Sequence, residues 1–198
     1  MDLAAIIGLG NPGVEYANSR HNIGFRVVDA LAGRWRVVAW QHRYSSLLGR
    51  RGGARPLWLV KPQTYMNLSG SAVTAFCRAV GLEPGELLVV VDDVDLPLGS
   101  LRLRARGGAG THNGLRSVVE GIGEGFPRLR LGVRGETPWR DLAQYVLAPF
   151  EPAEVETVET MVARACECVE AVLHQGLARA ATTFNASAAP RREPPEAG

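Results

Sequence analysis

Residues 3–22 read LAAIIGLGNPGVEYANSRHN and are the stretch of this chain that is most informative about its fold and its site. The apolar run Leu3–Ile7 is typical of a buried strand. The stretch from Gly8 to Asn22 then combines glycines, amides, a phenol, an arginine and a histidine in one loop. Glycine lets a backbone approach a ligand closely, and histidine exchanges a proton near pH 7. The segment therefore predicts a functional site at the end of a buried strand.

A dinucleotide site is the first alternative, because Gly8–Gly13 matches the pattern G-x-G-x-x-G. That pattern normally opens a helix directly and is followed about 20 residues later by an acid at the end of a second strand. Here polar residues continue to Ser19, apolar periodicity begins only near Ile23, and Asp29 lies inside the periodic stretch. A nucleotide-dependent oxidoreductase is therefore kept only as an alternative.

Strand and helix patterns alternate along the chain and predict a single α/β domain over residues 1–185, with its site at the strand ends. We predict a disordered C-terminal tail over residues 186–198, since that segment lacks apolar periodicity and is rich in proline and charge. The predicted strands cover residues 3–7, 43–50, 57–61, 87–91, 101–106 and 129–133. The predicted helices cover residues 20–34, 72–80, 115–122 and 155–172.

Charge is distributed unevenly although the net charge is only +2. Residues 100–140 contain eight arginines and three glutamates, whereas residues 141–175 contain seven acids and one arginine. Such segregation is typical of a protein with one face for a polyanion, although the abundance of arginine is also consistent with a GC-rich coding bias.

Cysteine usage and hydropathy exclude several classes of protein. Cys77, Cys166 and Cys168 form an odd set without C-x-x-C spacing, which argues against a disulfide framework and a zinc site. No apolar run reaches the length of a membrane span, and the N-terminus lacks the pattern of a signal peptide. We expect a cytoplasmic protein with buried thiols and without membrane association.

Five segments place polar residues at the end of an apolar run, and they would meet at one edge of a sheet if those runs are adjacent strands. Open α/β sheets bind ligands in such a crevice. The segments are Asn11–His21, Lys61–Asn67, Asp92–Asp95, Gly107–Asn113 and Arg128–Arg134.

His21 and Asp92 are the natural acid–base pair among these segments. A carboxylate that is hydrogen-bonded to one imidazole nitrogen fixes the tautomer and leaves the other nitrogen free to take a proton from water. A structural histidine is the alternative for His21, and a turn cap or a cation ligand is the alternative for Asp92. Spacing alone does not separate Asp92 from Asp93 or Asp95.

Asn11, Asn67 and Asn113 offer donors and acceptors that do not titrate, which suits binding of a peptide backbone or an oxyanion. Each is equally consistent with a turn residue. The loop Gly107–Gly110 precedes a helix and is a candidate anion site. Arg102, Arg104 and Arg106 alternate with apolar residues and would project from one strand face beside it.

Four motifs together resemble the bacterial-type peptidyl-tRNA hydrolase family over about residues 5–184. In this sequence they are Gly8–Gly13 with Tyr16 and Arg20-His21-Asn22, then Lys61–Gly70, then Asp92 to Gly99, and Gly107–Ser117. The resemblance implies a monomeric α/β enzyme with a mixed, mostly parallel central sheet flanked by helices. It implies neither a metal nor a cofactor, and no obligate protein partner.

The resemblance also implies a reaction, namely cleavage of the ester that joins a peptide to the 3′ ribose of tRNA, which recycles the tRNA. His21 would activate the water, Asp92 would stabilise its proton-accepting form, Asn11 would recognise N-blocked substrates, and Asn113 would act on the water or oxyanion. The implied substrate contacts are Tyr16, Tyr65, Met66, Asn67 and Asn113, and the tRNA-contact candidates are Arg102, Arg104, Arg106 and Arg116. They would meet the acceptor end and 3′ CCA of peptidyl-tRNA. A catalytically dispensable RNA-binding relative is the second expectation.

Overall fold

The structure, a computed structural model, describes residues 2–53 and 56–186, which form seven strands and six α-helices. The strands are β1 (Ala5–Gly8), β2 (Trp40–Arg43), β3 (Ser46–Arg51), β4 (Leu57–Pro62), β5 (Leu87–Pro97), β6 (Leu101–Arg104) and β7 (Arg128–Arg134). The helices are α1 (Ile23–Arg34), α2 (Ser69–Val80), α3 (Asn113–Ile122), α4 (Leu142–Leu147), α5 (Val155–Gln175) and α6 (Leu177–Ala186).

One sheet contains all seven strands in the order β2-β3-β4-β1-β5-β7-β6. The four central strands, β4-β1-β5-β7, are parallel to one another. The pairings toward both edges, β2-β3-β4 and β7-β6, are antiparallel. The predicted mixed sheet with a parallel centre is confirmed.

Helices cover both faces of the sheet. On one face α1, α5 and α6 bury Leu88 and Val90 of β5, and on the other α2 and α3 bury Val89 and Val91. A strand that is covered on both faces carries a continuous apolar run, as the sequence from Leu87 to Val91 predicts.

Helix α1 packs very closely on the sheet. A Cβ atom at Gly24 would collide with the backbone oxygens of Val90 and Leu9, and one at Gly8 would collide with the backbone of Gly24. Glycine permits this approach because it has no Cβ. The turn Arg20–Asn22, which directly precedes α1, is thereby held against β5.

The predicted single strand over residues 43–50 is wrong. β2 ends at Arg43 and β3 begins at Ser46, so a two-residue hairpin turn interrupts the expected strand. Tyr44 and Ser45 both have positive φ angles, of 54° and 51°. Hairpins of this kind normally place Asn or Gly at such positions, and the turn therefore carries no recognisable sequence signal.

Two further expectations need correction where polar side chains lie within strands. The segment Asp92–Asp95 does not follow a strand but lies within β5, whose pairing with β7 is irregular between Asp93 and Pro97. Arg128–Arg134 is likewise β7 itself rather than a segment after a strand. β6 ends at Arg104, so Arg106 lies beyond the strand from which it was expected to project.

Two helices have no counterpart among the predicted elements. These are α4, only six residues long, and α6, which ends at Ala186. The predicted disordered tail begins with this last helical residue and otherwise lies outside the described residues, so the domain boundary stays a prediction. In residues 2–53 and 56–186, no helix is long and apolar enough to cross a membrane.

Candidate active site

Two histidines share one carboxylate oxygen at the centre of the parallel strands. His21 Nδ1 lies 2.8 Å from Asp92 Oδ1, and His112 Nε2 lies 2.9 Å from the same atom. The two imidazole rings are 4.8 Å apart at their centroids. All three side chains are buried, with 9% of His21 exposed. Asp92 lies within β5, and the turns before α1 and α3 bring His21 and His112 to it.

The hydrogen-bond pattern determines which nitrogen carries each proton. His112 caps α3, because its Nδ1 accepts the backbone N–H of Leu115 at 3.1 Å. That nitrogen is therefore unprotonated, and His112 donates Nε2–H to Asp92. Since a carboxylate only accepts, His21 must also donate to it, from Nδ1. In the neutral imidazole of His21, Nε2 is then the nitrogen without a proton, and it can act as a base at the cleft.

Asp92 is ionised in this arrangement. Burial by itself would raise the pKa of the carboxyl group, but the charges and hydrogen bonds of His112 and His21 outweigh it and lower the pKa well below its usual range. The carboxylate can therefore stabilise positive charge on an imidazole at any pH near neutrality.

Asn11 is held in one orientation by its neighbours. Its Oδ1 accepts the backbone N–H of Met66 at 2.7 Å, and its own backbone N–H and C=O bond to the side-chain amide of Asn22 at 2.8 and 2.9 Å. The side-chain amide group of Asn11 thus presents its N–H donors, not its oxygen, to the cavity that it lines.

Two cavities adjoin at His21 and Asn113. The first, of about 230 Å³, contains Arg130 and the carboxylates of Asp92 and Asp93, and Thr111 and His112 also line it. The second, of about 340 Å³, is lined by Asn11, Tyr16, His21, Tyr65, Met66, Asn67 and Asn113, together with residues of α4. The predicted catalytic and substrate-binding residues therefore lie around one bipartite cleft.

Helix α4 forms the wall that both cavities share, through Ala143 and Val146. Arg20 fastens the chain beyond this helix to the turn that carries His21. Its guanidinium donates to the carbonyl oxygen of Pro149 and to Glu154 Oε2, the latter at 2.6 Å, and its backbone N–H donates to Ala148.

The predicted tRNA-contact residues are not part of the cleft. Arg102, Arg104, Arg106 and Arg116 are exposed, the first two on β6. The strand register sets Arg102 opposite Arg130 and Arg104 opposite Arg128. Cations opposed across a sheet repel each other, and here Arg130 is also paired with Asp93 at 3.3 Å. Binding of tRNA by the exposed arginines stays a prediction.

Arg128 has a structural role in that group. Its side chain is buried and donates to the carbonyl oxygens of Glu124, Phe126 and Gly107. The pKa of Arg128 is lowered by burial and next by the nearby charge of Arg130. It holds the glycine loop that leads to His112 and Asn113; an anion site in that loop stays a prediction.

His21, Asp92 and His112 are also the residues that could hold a metal ion, since their donor atoms lie within 4.8 Å of one another. The hydrogen bonds described above already use the facing atoms of all three side chains. The expectation of an enzyme without a metal stays a prediction.

Sequence reasoning identified most of this cleft but missed several of its parts. Spacing did not separate Asp92 from Asp93 and Asp95, whereas in the structure only Asp92 contacts both histidines and Asp93 pairs with Arg130. The support that Asn22 gives to Asn11 was not recognised, although Asn22 lies in the first motif. The α4 wall carries no signal, since a six-residue helix is too short to show periodicity.

Comparison with known proteins gives one consistent result. A family model described as "Peptidyl-tRNA hydrolase" matches residues 5–193. Among curated proteins, a peptidyl-tRNA hydrolase of Synechococcus sp. (strain JA-3-3Ab) is 50% identical over 188 residues, covering 92% of this chain and 83% of that protein. One of Chloroflexus aurantiacus is 49% identical over 185 residues, covering 91% and 97%.

Solved structures agree with the sequence comparisons. The crystal structure of peptidyl-tRNA hydrolase from Acinetobacter baumannii superposes with a TM-score of 0.86 at 33% identity, and the match covers 93% of this chain and 95% of that one. Neither the family match nor the curated relatives support the oxidoreductase or RNA-binding alternatives.

Proposed function

Since the chain belongs to the peptidyl-tRNA hydrolase family and hydrolyses peptidyl-tRNA, we propose that His21 is the base that activates the attacking water. The observation that supports this role is the shared oxygen of Asp92, which leaves His21 Nε2 unprotonated at the cleft. Nothing comparable applies to His112, because both of its nitrogens are already hydrogen-bonded.

The reaction then needs no covalent intermediate. His21 Nε2 takes a proton from water while the hydroxide adds to the ester carbonyl carbon, and Asp92 stabilises the resulting imidazolium. When the tetrahedral intermediate collapses, the ester C–O bond breaks and the same proton passes to the departing 3′ oxygen of the ribose. The side-chain amide of Asn113 borders both cavities, and its Oδ1 accepts from the guanidinium of Arg116 at 3.4 Å, so its N–H donors would face the oxyanion.

Asn11 would distinguish blocked from free aminoacyl groups. Its oxygen is occupied by Met66, so it offers only donors to the cleft. A peptide carbonyl accepts a hydrogen bond from these donors. A free α-ammonium carries only donors itself, so both it and the Asn11 amide would lack a partner.

The two cavities suit the two halves of the substrate. The peptide would lie in the amide- and tyrosine-lined cavity, beside Asn11, Tyr16, Tyr65, Met66 and Asn67. The 3′ CCA end would enter through the cavity that contains Arg130, which is continuous with the arginines of β6. Arg102, Arg104, Arg106 and Arg116 would bind phosphates of the acceptor end. We propose a monomer that acts in the cytoplasm without an obligate protein partner.

Replacement of His21 tests the proposal. In His21→Ala we expect kcat for N-acetyl-aminoacyl-tRNA to fall by about 10²- to 10⁴-fold, with nearly unchanged tRNA binding, because only the proton acceptor is lost. The exposed edge histidine gives a matched control, His42→Ala, which should keep wild-type turnover. Full activity of His21→Ala, or equal turnover of blocked and unblocked aminoacyl-tRNA by the wild type, would contradict the proposal.

A further inference from the structure

A second basic region lies far from the arginines of β6. Residues 30–82 contain eight Lys or Arg residues and not one Asp or Glu, although the whole chain has 20 acids. This stretch includes β2, β3 and β4, which form the sheet edge opposite β6. Acids from outside this stretch pair with two of its cations, Asp29 with Lys61 and Glu170 with Arg34, so the argument concerns the cations that have no such partner.

Aromatic rings hold the arginines of this edge in place. The guanidinium of Arg43 lies 5.1 Å from the ring centroid of Tyr44, and that of Arg50 lies 5.3 Å from that of Trp58. Both arginines are exposed, and neither forms an ion pair with a carboxylate in the described part of the chain. A guanidinium that stacks on a ring keeps its charge and its outer N–H donors available. We call Arg43 and Arg50, with Tyr44 and Trp58, the hairpin surface.

The strand register gives the hairpin surface a defined spacing. Arg43 is paired with Ser46, and Arg50 is four residues farther along β3, so the two positions are about 14 Å apart along the strand direction. They also fall on the same face of the sheet. Arg43 shares a face with its partner Ser46, and Ser46 shares one with Arg50 because side chains alternate every second residue along a strand. Two cations at this spacing on one face match a chain of phosphates better than a single small anion.

Protection of the edge strand is the simplest alternative, because exposed edges often carry charged residues to prevent aggregation. It does not explain why Arg43 and Arg50 lack a carboxylate partner among the described residues, or why each guanidinium lies near an aromatic ring. A membrane partner fits poorly, because this edge has few apolar side chains to insert into lipid. Within residues 35–53 and 56–62, Val38 is the one large apolar side chain that is well exposed. Stacked arginines beside aromatic rings are typical of RNA-binding surfaces.

We propose that the hairpin surface binds the phosphate backbone of a second RNA molecule, distinct from the peptidyl-tRNA in the cleft. The strand order separates β3 from β1 by one strand and β6 from β5 by one strand, so the cleft lies between the two basic edges. An acceptor stem that lies on β6 would be on the other side of the cleft from β3. The inference depends on the proposed function only for that placement of the substrate.

Binding of a labelled oligomer tests the inference directly. The probe is a fluorescein-labelled single-stranded RNA of about 12 nucleotides without an aminoacyl group, measured by fluorescence anisotropy. The variant Arg43→Glu/Arg50→Glu should raise its Kd at least about tenfold and flatten the salt dependence by the slope expected for about two phosphate contacts. Arg78→Glu/Arg179→Glu changes the net charge equally on exposed helix positions and should leave the Kd within about twofold of wild type.

Three results would overturn the inference. One is equal oligomer binding by the hairpin variant and the control. Another is a fall in kcat/KM for N-acetyl-aminoacyl-tRNA that parallels the loss of oligomer binding, because the surface would then contact the substrate itself. The third is the same arginine dependence for phosphatidylglycerol vesicles, which would assign the surface to a membrane.

Two further measurements keep the result interpretable. Thermal unfolding followed by circular dichroism shows whether Arg43→Glu/Arg50→Glu folds. If it does not, Arg43→Gln/Arg50→Gln takes its place in the binding measurement. His21→Ala should retain oligomer binding while losing hydrolysis, so a failure of the catalytic proposal remains distinguishable from a failure of this one.

Discussion

A single oxygen atom, Asp92 Oδ1, organises the chemistry of the cleft. It accepts from His21 and therefore places a proton on Nδ1 of that ring. It also accepts from Nε2 of His112, whose Nδ1 is occupied by the cap of α3. An asparagine at this position would keep the packing but would no longer determine the imidazole tautomers.

Asp92→Asn should therefore reduce kcat by about 10²- to 10⁴-fold, because an amide does not stabilise the imidazolium that forms when His21 takes a proton. KM should change little, since Asn113 and Asn11 still line the cleft. Steady-state hydrolysis of N-acetyl-aminoacyl-tRNA measures both constants. Asp93→Asn is the matched neighbour, and a loss of kcat in that variant as large as in Asp92→Asn would contradict the assignment.

At the level of secondary-structure elements, the α4 segment depends on Arg20. The guanidinium lies 4.3 Å from the ring centroid of Tyr145 and is 2% exposed, and it pairs with Glu154 just before α5. The cleft wall and the turn that carries His21 are consequently joined through one side chain.

Arg20→Lys keeps the charge but loses the planar fork that reaches Pro149 and Glu154 together. We expect a loss of about 1–3 kcal/mol in the free energy of unfolding and a rise in KM that exceeds the fall in kcat, because the wall moves while the His21–Asp92 contact persists. Chemical denaturation and steady-state kinetics measure the two effects. Arg34→Lys, at a half-exposed ion pair with Glu170, is the control and should change neither quantity strongly. An effect of Arg20→Lys on kcat alone would contradict the role of Arg20 in holding the wall.

Elements with a strong periodic pattern were predictable from the sequence, and those defined by long-range contacts were not. The run Leu87–Val91 is apolar throughout, as in a strand covered on both faces, and the stripe along α5 repeats its apolar residues at helical spacing. The turn at Tyr44 and Ser45 depends on backbone angles that these residue types seldom adopt. The chain just after α4 is held by Arg20, which donates to Pro149 across 129 residues of sequence. The residues of the cleft could be named because they occur in short motifs, but their hydrogen-bond partners required the fold.

At the level of the whole molecule, the three thiols link stability to alkaline pH. Burial raises the pKa of Cys77 and of Cys166 to about 11 and that of Cys168 to about 12, from 9.0. All three are buried, Cys77 in the core under α2 and the other two in the core under α5.

Between the unfolded and folded pKa values the unfolded chain has released protons that the folded protein retains, so stability falls as pH rises from about 8 to 10. Each thiol should contribute about 1 kcal/mol to that fall. Urea denaturation at the two pH values measures it, and Cys77→Ala/Cys166→Ala/Cys168→Ala should lose correspondingly less stability over the same interval. An identical pH dependence in the triple variant would exclude the thiols as its source.

The backbone contact at Gly24 has a consequence for how the molecule can change. Because α1 touches the central strands main chain to main chain, the imidazole of His21 and the carboxylate of Asp92 are mounted on one stiff block. The facing wall belongs to another stretch of chain, fastened by a few side chains. Substitutions in the wall can therefore change the shape of the entrance for different substrates while the distance between His21 and Asp92 stays the same.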